Sequence, residues 1–265
     1  MDTLNRVNEH FEDALKYFTK DNIVICALQG SQNYELDYEN SDVDTKLILV
    51  PSFKDICLNR KPISTTHILE NNEHCDWKDV RLYMETFRKQ NLNFLEILFT
   101  KYYTPNPIYF EQWNRLIGYN ERIARMNPWR AVKSMKGIAM EKYHAMKHPY
   151  PSKMDIITEH GYDGKQVSHL IRVMDYLERY INGEYYYKCL IPTANLKDEI
   201  MAYKRQEIPL EVAEVKANEV LAHVVNIADN FCAHYEDKED EEMRELLEDV
   251  SYNIMRIAVE KELSK

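Results

Sequence analysis

The sequence predicts an α+β protein, in which a small mixed sheet with flanking helices is followed by a helical C-terminal domain. Apolar and β-branched runs of strand length are confined to the N-terminal third, whereas later segments repeat apolar residues at helical spacing. Glycine is scarce, with 6 residues in a chain of 265, and a composition rich in Glu, Lys, Leu and Met favours helices. This length allows one large or two modest domains. We expect a core over residues 1–105 and a helical domain over 106–265.

Helices and strands alternate in the expected core. An amphipathic helix is expected over residues 3–19, because Leu4, Val7 and Phe11 share one face. The elements expected next are strands at 23–29 and 43–50, a short helix from 51 to 58, a strand at 63–69, a short strand ending near 76, and helices from 79 and over 93–101. The remaining chain predicts helices near 108–126, 129–147, 165–181, 195–204, 209–233 and 240–262.

The polar residues most typical of a chemical site lie between the first two expected strands. Gly30-Ser31 follows one apolar run, and Asp42-Val43-Asp44 precedes another. Residues two apart in a strand point to the same face, so Asp42 and Asp44 are expected to project together. Neighbouring carboxylates repel unless a cation lies between them, and Mg²⁺ commonly uses one or two carboxylates plus substrate phosphates. Gly30 lets the backbone approach a phosphate. The alternative is a hairpin turn with an exposed loop.

This stretch resembles the nucleotidyltransferase superfamily that includes DNA polymerase beta, whose signature is Gly-Ser, a short spacer and Asp-x-Asp. More narrowly, it is similar to the RNA-ligase-associated (RlaP-like) predicted nucleotidyltransferases, which read Gly-Ser-x-x-Tyr-Gly-Leu and then Ser-Asp-x-Asp. The matching residues are Gly30, Ser31, Tyr34, Leu36, Ser41, Asp42 and Asp44. Glu35 stands where the family usually has glycine. The resemblance continues through residues 93–99 and 161–172 and covers most of residues 20–185.

The resemblance implies Mg²⁺-dependent transfer of a nucleoside monophosphate from a nucleoside triphosphate, with ATP as the expected nucleotide and pyrophosphate released. The acceptor hydroxyl could belong to an RNA end, a protein or a small molecule. Residues 1–105 would form the catalytic core, and residues 106–265 would close over the nucleotide cleft. Asp42 and Asp44 would bind Mg²⁺, and a third acidic residue on a neighbouring strand would complete a two-metal site.

Two residues are candidates for the third carboxylate. Asp76 is favoured as a catalytic residue and metal ligand, because it ends a short expected strand and its spacing to Glu96 matches the family better. Asp79 is the alternative catalytic residue, although it is also well placed as the N-cap of the following helix. Asp76 could itself be that N-cap, with Asp79 three residues later as in a capping box.

Three polar residues at helical spacing complete the expected nucleotide site. Lys165, His169 and Arg172 share one face of the helix expected over 165–181. The resemblance implies that this helix packs near the catalytic core, so these residues join Gly30 and Ser31 as expected nucleotide-binding groups. The alternative is a solvated helix face, with Arg172 paired to an acid such as Asp175.

Charge and composition restrict the partners. The chain carries 34 basic and 44 acidic residues, for a net charge of −10, so strong non-specific nucleic-acid binding is not expected. No apolar run approaches the roughly 18 residues of a membrane span, and the N-terminus lacks the features of a signal peptide. The 5 cysteines are scattered, which favours reduced thiols in the cytoplasm.

A function of a different class is compatible with the same residues. The chain could be a non-catalytic nucleotide-binding or partner-binding module of a toxin–antitoxin or RNA-repair system. Such a module would keep the fold and the Mg-nucleotide pocket. The presence of every plausible carboxylate favours the enzyme.

Overall fold

The computed structural model describes residues 2–39 and 41–265, which form a mixed α+β structure that is 63% helical. The chain divides into two units. The sheet unit comprises Met1–Met126 and Glu239–Lys265, and the helical unit comprises Asn127–Lys238. This division differs from the expected boundary between residues 105 and 106, because the next two helices and the last helix of the chain pack within the sheet unit.

Five strands form one mixed sheet in the order β3-β4-β2-β1-β5. They are β1 (Ile23–Gln29), β2 (Asp44–Leu49), β3 (Ser64–Ile68), β4 (His74–Asp79) and β5 (Tyr103–Pro105). Strands β2 and β4 are parallel, and the other neighbouring pairs are antiparallel. Strand β4 continues past its expected end near Asp76, because its ladder with β2 extends to the pair Leu49 and Asp79. Strand β5 was not expected, because it is short and ends in proline.

The helices account for most of the chain. In chain order they are α1 (Thr3–Ala14), α2 (Phe53–Cys57), α3 (Val80–Arg88), α4 (Leu92–Leu95), α5 (Phe110–Gly118), α6 (Asn120–Ile123), α7 (Pro128–Ala145), α8 (Met154–His160), α9 (Gly164–Ile181), α10 (Tyr186–Leu190), α11 (Ala194–Lys204), α12 (Leu210–His234) and α13 (Glu241–Leu263). The long expected helices from residue 129 onward are confirmed apart from their end residues. Helix α1 ends earlier than expected, and residues 93–101 form only the end of α4 and a 3₁₀ turn, Glu96–Leu98.

The two faces of the sheet have different chemistry. Helix α1 packs on the apolar face, where its Val7 and Phe11 join strand residues such as Leu47 and Trp77 in one buried cluster. Side chains alternate between the faces of a strand. The opposite face therefore carries the polar residues of β1, β2 and β4. They are Gln29, Asp44, Lys46, His74, Asp76 and Lys78.

Helix α9 is the centre of the helical unit and contacts α7, α10, α11 and α12. Its first residue, Gly164, lies so close to helix α11 that a Cβ atom there would come within 2.0 Å of the Tyr203 carbonyl oxygen. Only glycine fits that approach. Asp163 caps the helix by accepting a hydrogen bond from the Lys165 amide at 2.9 Å. Of the helices among the described residues, none is long and apolar enough to cross a membrane.

Candidate active site

The β1–β2 hairpin brings the two halves of the Gly-Ser and Asp-x-Asp motif to one end of the sheet. Gln29, which precedes Gly30, lies directly opposite Asp44 in the antiparallel ladder. Across the same connection, Gln32 Nε2 donates a hydrogen bond to the Asp42 carbonyl oxygen at 2.8 Å. The Gly30-Ser31 turn and the Asp42-Val43-Asp44 segment are therefore neighbours, as the sequence predicts.

The turn after β1 leaves the backbone of Gly30 open. Gly30 has φ of 112°, and apart from Gly30 and its two chain neighbours no heavy atom of the described residues lies within 4 Å of the position that a Cβ would take. Ser31 begins a 3₁₀ turn, Ser31–Tyr34, that ends at Glu35. Glu35 adopts the left-handed conformation, with φ of 55°, which non-glycine residues adopt at an energetic cost. Glycine would adopt this conformation without that cost.

A pocket of about 310 Å³ opens on the polar face of the sheet beside this turn. Its lining residues come from four strands and are Gln29, Asp44, Thr45, Thr66, His74 and Asp76. Asp44 and Asp76 stand on the adjacent parallel strands β2 and β4. Asp44 Oδ1 accepts a hydrogen bond from the His74 backbone N–H at 3.2 Å and lies 3.4 Å from His74 Nδ1. The structure thus brings together one carboxylate of the Asp-x-Asp motif and the favoured third carboxylate.

Asp76 forms an ion pair inside this pocket. Its Oδ2 lies 3.0 Å from the ammonium of Lys46, and its Oδ1 accepts a hydrogen bond from the Thr66 hydroxyl at 2.6 Å. Burial raises the pKa of Asp76, but Lys46 and Thr66 together outweigh burial and lower that pKa below its ordinary value. Burial also lowers the pKa of Lys46, and Asp76 opposes that shift. The pair holds Asp76 as a carboxylate at neutral pH.

Asp79 and Asp42 lie outside the lining of the pocket. Asp79 is buried and caps α3, as the sequence predicts, by accepting from the Arg81 amide at 2.9 Å. It also binds the Arg81 guanidinium through both carboxylate oxygens. These bonds to Arg81 engage both carboxylate oxygens of Asp79. Asp42 is exposed and precedes β2, which begins at Asp44, so the expectation that the two carboxylates project together from one strand is wrong.

A buried carboxylate fixes the segment that carries Asp42 and Asp44. Glu73 accepts hydrogen bonds from the Val43 backbone N–H at 2.8 Å and from Asn71 Nδ2 at 2.8 Å. His10 Nε2 lies 2.9 Å from the same carboxylate, and Arg6 forms an ion pair with it. Both Glu73 and His10 are almost fully buried. This network sets the position of the chain immediately before β2.

The donor set at the pocket suits a hard cation such as Mg²⁺. No group of three or more His, Cys, Asp or Glu side chains among the described residues is arranged to hold a metal ion. Carboxylate and amide oxygens are nevertheless gathered there. The side-chain oxygens of Gln29 and Gln32 are buried and accept no hydrogen bond within the described chain. Mg²⁺ prefers oxygen ligands and completes its shell with water and phosphate. Of these two glutamines, Gln29 lines the pocket and Gln32 does not.

The other expected nucleotide-binding residues belong to α9 in the helical unit. Lys165 is exposed, His169 is half-buried, and Arg172 is only 3% exposed. Burial lowers the pKa of His169 well below its ordinary value, and the neighbouring charges of Arg172 and Lys165 lower it further. A fully solvated face is therefore wrong for this stripe. The Asp175 carboxylate, suggested as a partner for Arg172, binds Arg179 at 3.2 Å and the Thr193 hydroxyl at 3.0 Å.

Sequence reasoning missed four residues of the site, for different reasons. Lys46 continues the alternation of Asp42 and Asp44, so the sequence already indicates that its side chain lies on the same face of the sheet. His10 lies on the apolar stripe of α1, which signals a buried polar group. Gln29 and Glu73 carry no such signal, because their roles depend on pairing between distant parts of the chain.

Comparison with known proteins assigns the chain to no family. No family model matches the chain, and no curated protein matches it.

Proposed function

We propose that this protein is a Mg²⁺-dependent nucleotidyltransferase, which moves a nucleoside monophosphate from a nucleoside triphosphate to a hydroxyl acceptor. ATP is the expected donor, and the acceptor is an RNA end, a protein or a small molecule. One observation carries the proposal. The pocket on the polar face of the sheet is lined by Asp44 and Asp76 on adjacent parallel strands, and the open backbone of Gly30 directly follows a third lining residue, Gln29.

The proposed reaction assigns a role to each group. Asp42 and Asp44 would hold Mg²⁺, and a bound Mg²⁺ would supply positive charge to the phosphate oxygens. The backbone at Gly30 and the hydroxyl of Ser31 orient the phosphates. The acceptor oxygen forms a bond to the α-phosphorus while the bond from that phosphorus to the pyrophosphate oxygen breaks. Asp76 takes the hydroxyl proton, and Lys46 holds its carboxylate in place.

The cationic stripe on α9 fits the same substrate class. Lys165 is exposed and carries a positive charge suited to phosphate, whereas Arg172 is only 3% exposed. Two further cations, Lys142 and Lys204, lie near enough to His169 to lower its pKa. The assignment of these residues to nucleotide binding stays a prediction.

One observation favours the non-catalytic alternative. The ammonium of Lys46 already neutralises Asp76, so the pocket could bind a nucleotide without transferring it. Incubation of the purified chain with Mg²⁺, labelled nucleoside triphosphates and cell lysate separates the two functions. Transfer of label to a macromolecule or metabolite supports the enzyme, whereas reversible binding alone supports the module.

A matched pair of variants tests the site. Asp44→Asn removes one charge with almost no change in volume, and is expected to lower transfer by about a hundredfold or more, as for other lost transition-state electrostatics. Asp37→Asn is the control, because Asp37 is exposed on the same connection between β1 and β2. Undiminished transfer by Asp44→Asn, with both variants folded by thermal melting, would refute the proposed site.

A further inference from the structure

Strand β3 is an open edge of the sheet. It stands first in the strand order and pairs with β4 on one side. Ser64, Thr65 and Thr66 are exposed, and Ile68 is 59% exposed. An edge strand presents backbone N–H and C=O groups that can pair with another extended chain. The outer side of β3 is therefore a surface on which a further strand can be added.

The hydrogen bonds to β4 show which backbone groups point outward. In an antiparallel ladder, every second residue exchanges its backbone hydrogen bonds with the neighbouring strand. The Asp79 N–H donates to the Ile63 carbonyl oxygen at 2.9 Å, and the register continues unbroken from Ser64 to Ile68. Every second residue from Ile63 therefore faces β4, so the backbone groups of Ser64, Thr66 and Ile68 face away from the sheet.

The edge lacks the features that usually prevent strand addition. Natural edge strands are commonly protected by charged side chains, proline or a bulge. Residues 63–69 contain no Lys, Arg, Asp, Glu or Pro, although 29% of the whole chain is charged. The pairing of β3 with β4 is regular and contains no bulge. An exposed strand of this composition is typical of a surface that pairs with another strand.

The strand is complementary to a second copy of itself. An antiparallel copy centred on Thr66 places Ser64 opposite Ile68 of the copy and Thr66 opposite its counterpart. All three outward-facing residues then pair, for about six backbone hydrogen bonds. At each end, the exposed Lys61 of one copy comes beside the exposed Glu70 of the other. Opposite charges across a strand pair are favourable, whereas a parallel copy would place like charges together.

We propose that two copies of this chain form a two-fold dimer by antiparallel pairing of their β3 strands, which joins the two five-stranded sheets into one. This assembly goes beyond the proposed function and does not depend on it. A two-fold contact is isologous, so the same patch serves both copies and the assembly closes at two. The paired surface is small, and the dimer therefore dissociates on dilution.

The dimer places the two candidate sites on one face of the joined sheet. The two-fold axis of an antiparallel pair is perpendicular to the sheet, so the polar faces of both copies lie on the same side. Thr66 lines the pocket and donates a hydrogen bond to Asp76. In the dimer its Cα lies about 5.5 Å from that of Thr66 in the second copy. The second copy therefore stands beside the outer edge of the pocket.

Sedimentation velocity of the full chain over a range of concentrations tests the proposal. We expect a reversible monomer–dimer equilibrium between about 1 and 500 µM. Ile68→Lys adds a charge to the free edge and should weaken the dimer at least about tenfold. Val215→Lys is the control, because Val215 is 58% exposed but lies on α12, and it should leave the equilibrium unchanged. A wild-type chain that stays monomeric throughout this range would overturn the proposal.

A second variant tests the backbone pairing directly. Ser64→Pro removes an outward-facing N–H and leaves the bonds between β3 and β4 in place, so it should weaken the dimer about tenfold while the chain stays folded by thermal melting. Equal dimer affinities for the wild type, Ile68→Lys and folded Ser64→Pro would place the contact elsewhere and overturn the proposal. A monomeric chain that binds an extended peptide along β3 would overturn the choice of a second copy as the occupant.

Charge reversal tests the antiparallel register. Lys61→Glu and Glu70→Lys each place like charges at both ends of the paired strands, and each should weaken the dimer about tenfold. The double variant restores opposite charges at both ends and should recover the wild-type affinity to within about threefold. A double variant that is weaker than either single variant would overturn the antiparallel pairing.

Discussion

Replacement of Glu73 by glutamine should destabilise the sheet unit and displace the segment that carries Asp42. The carboxylate of Glu73 is 2% exposed and accepts from Val43, Asn71, His10 and Arg6 across its two oxygens. Glutamine keeps the size of the side chain but turns one oxygen into an NH₂ group, which then faces donors instead of accepting from them.

The magnitude follows from the surroundings of the network. Removing one partner of a fully buried charge pair costs about 3 to 5 kcal/mol. Arg6 is 24% exposed, so water can compensate part of its loss, and His10 can change tautomer. We therefore expect a loss of about 2 to 3 kcal/mol, or roughly 4 to 12 °C in melting temperature.

Thermal melting of Glu73→Gln beside Glu85→Gln measures the effect. Glu85 is 47% exposed, and its contacts to Arg88 and Lys89 are 3.5 and 3.8 Å long, so its variant should stay within about 0.5 kcal/mol of the wild type. Glu73→Gln should also lower transfer activity, because the Glu73 network holds the segment that carries Asp42 and Asp44. Melting temperatures equal to within about 2 °C for both variants would refute the reasoning.

Four further outcomes follow from features of the two units. Glu35→Gly should raise the free energy of unfolding in denaturant by up to about 1 kcal/mol, because glycine adopts the left-handed conformation without a Cβ clash; a loss of stability would contradict this. Because the pKa of Asp76 is lowered in the folded state, its ionised carboxylate stabilises the fold at pH values above the unfolded pKa of about 4. That stabilisation is lost as the pH falls through the folded pKa, so in Asp76→Asn the melting temperature should depend less steeply on pH in the acid range. The lowered pKa of His169 makes stability fall as pH drops below about 6.5, and His169→Gln should remove that slope. Arg172 is only 3% exposed, so Arg172→Ala should lower the free energy of unfolding in denaturant by about 1 to 3 kcal/mol through lost packing, whereas unchanged stability would contradict this.

The sequence predicts local structure well where periodicity is strong. Strands β1 and β2 contain apolar runs, and the long helices have helical repeats, so local patterns reveal both. Helix α8 has no buried residue, so it presents no apolar stripe to recognise. Residues 93–101 read as one helix, but the chain has to reach β5, which pairs with β1 from Tyr103 onward. That requirement is tertiary, and no local pattern contains it.

The candidate site also combines features that local sequence predicts with features that depend on distant parts of the chain. The closeness of Gly30 to Asp44 follows from two strands joined by one connection, and the N-cap role of Asp79 follows from local spacing. The ion pair between Lys46 and Asp76 depends on the parallel register of β2 and β4, which sequence alone does not set. The contact of Glu73 with Val43 is equally non-local, since 30 positions separate them.

The discontinuous sheet unit has a consequence for the order of folding during synthesis. The chain leaves this unit at Met126 and re-enters it at Glu239, and the Asp240 backbone N–H donates to the Met126 carbonyl oxygen at 2.7 Å. Helix α13 then supplies a buried stripe against α3 and α5. A ribosome making this chain therefore completes the helical unit before it delivers the last helix of the sheet unit.

Until that helix arrives, the apolar faces of α3 and α5 lack their partner, and exposed apolar surface in an unfinished domain promotes aggregation. A fragment that stops at residue 126 should therefore need α13 added in trans to remain dispersed. A chain that joins residue 126 directly to residue 239 through a short linker contains every element of the sheet unit. Its folding would require no prior folding of the helical insertion, and the cost of closing so short a loop is small.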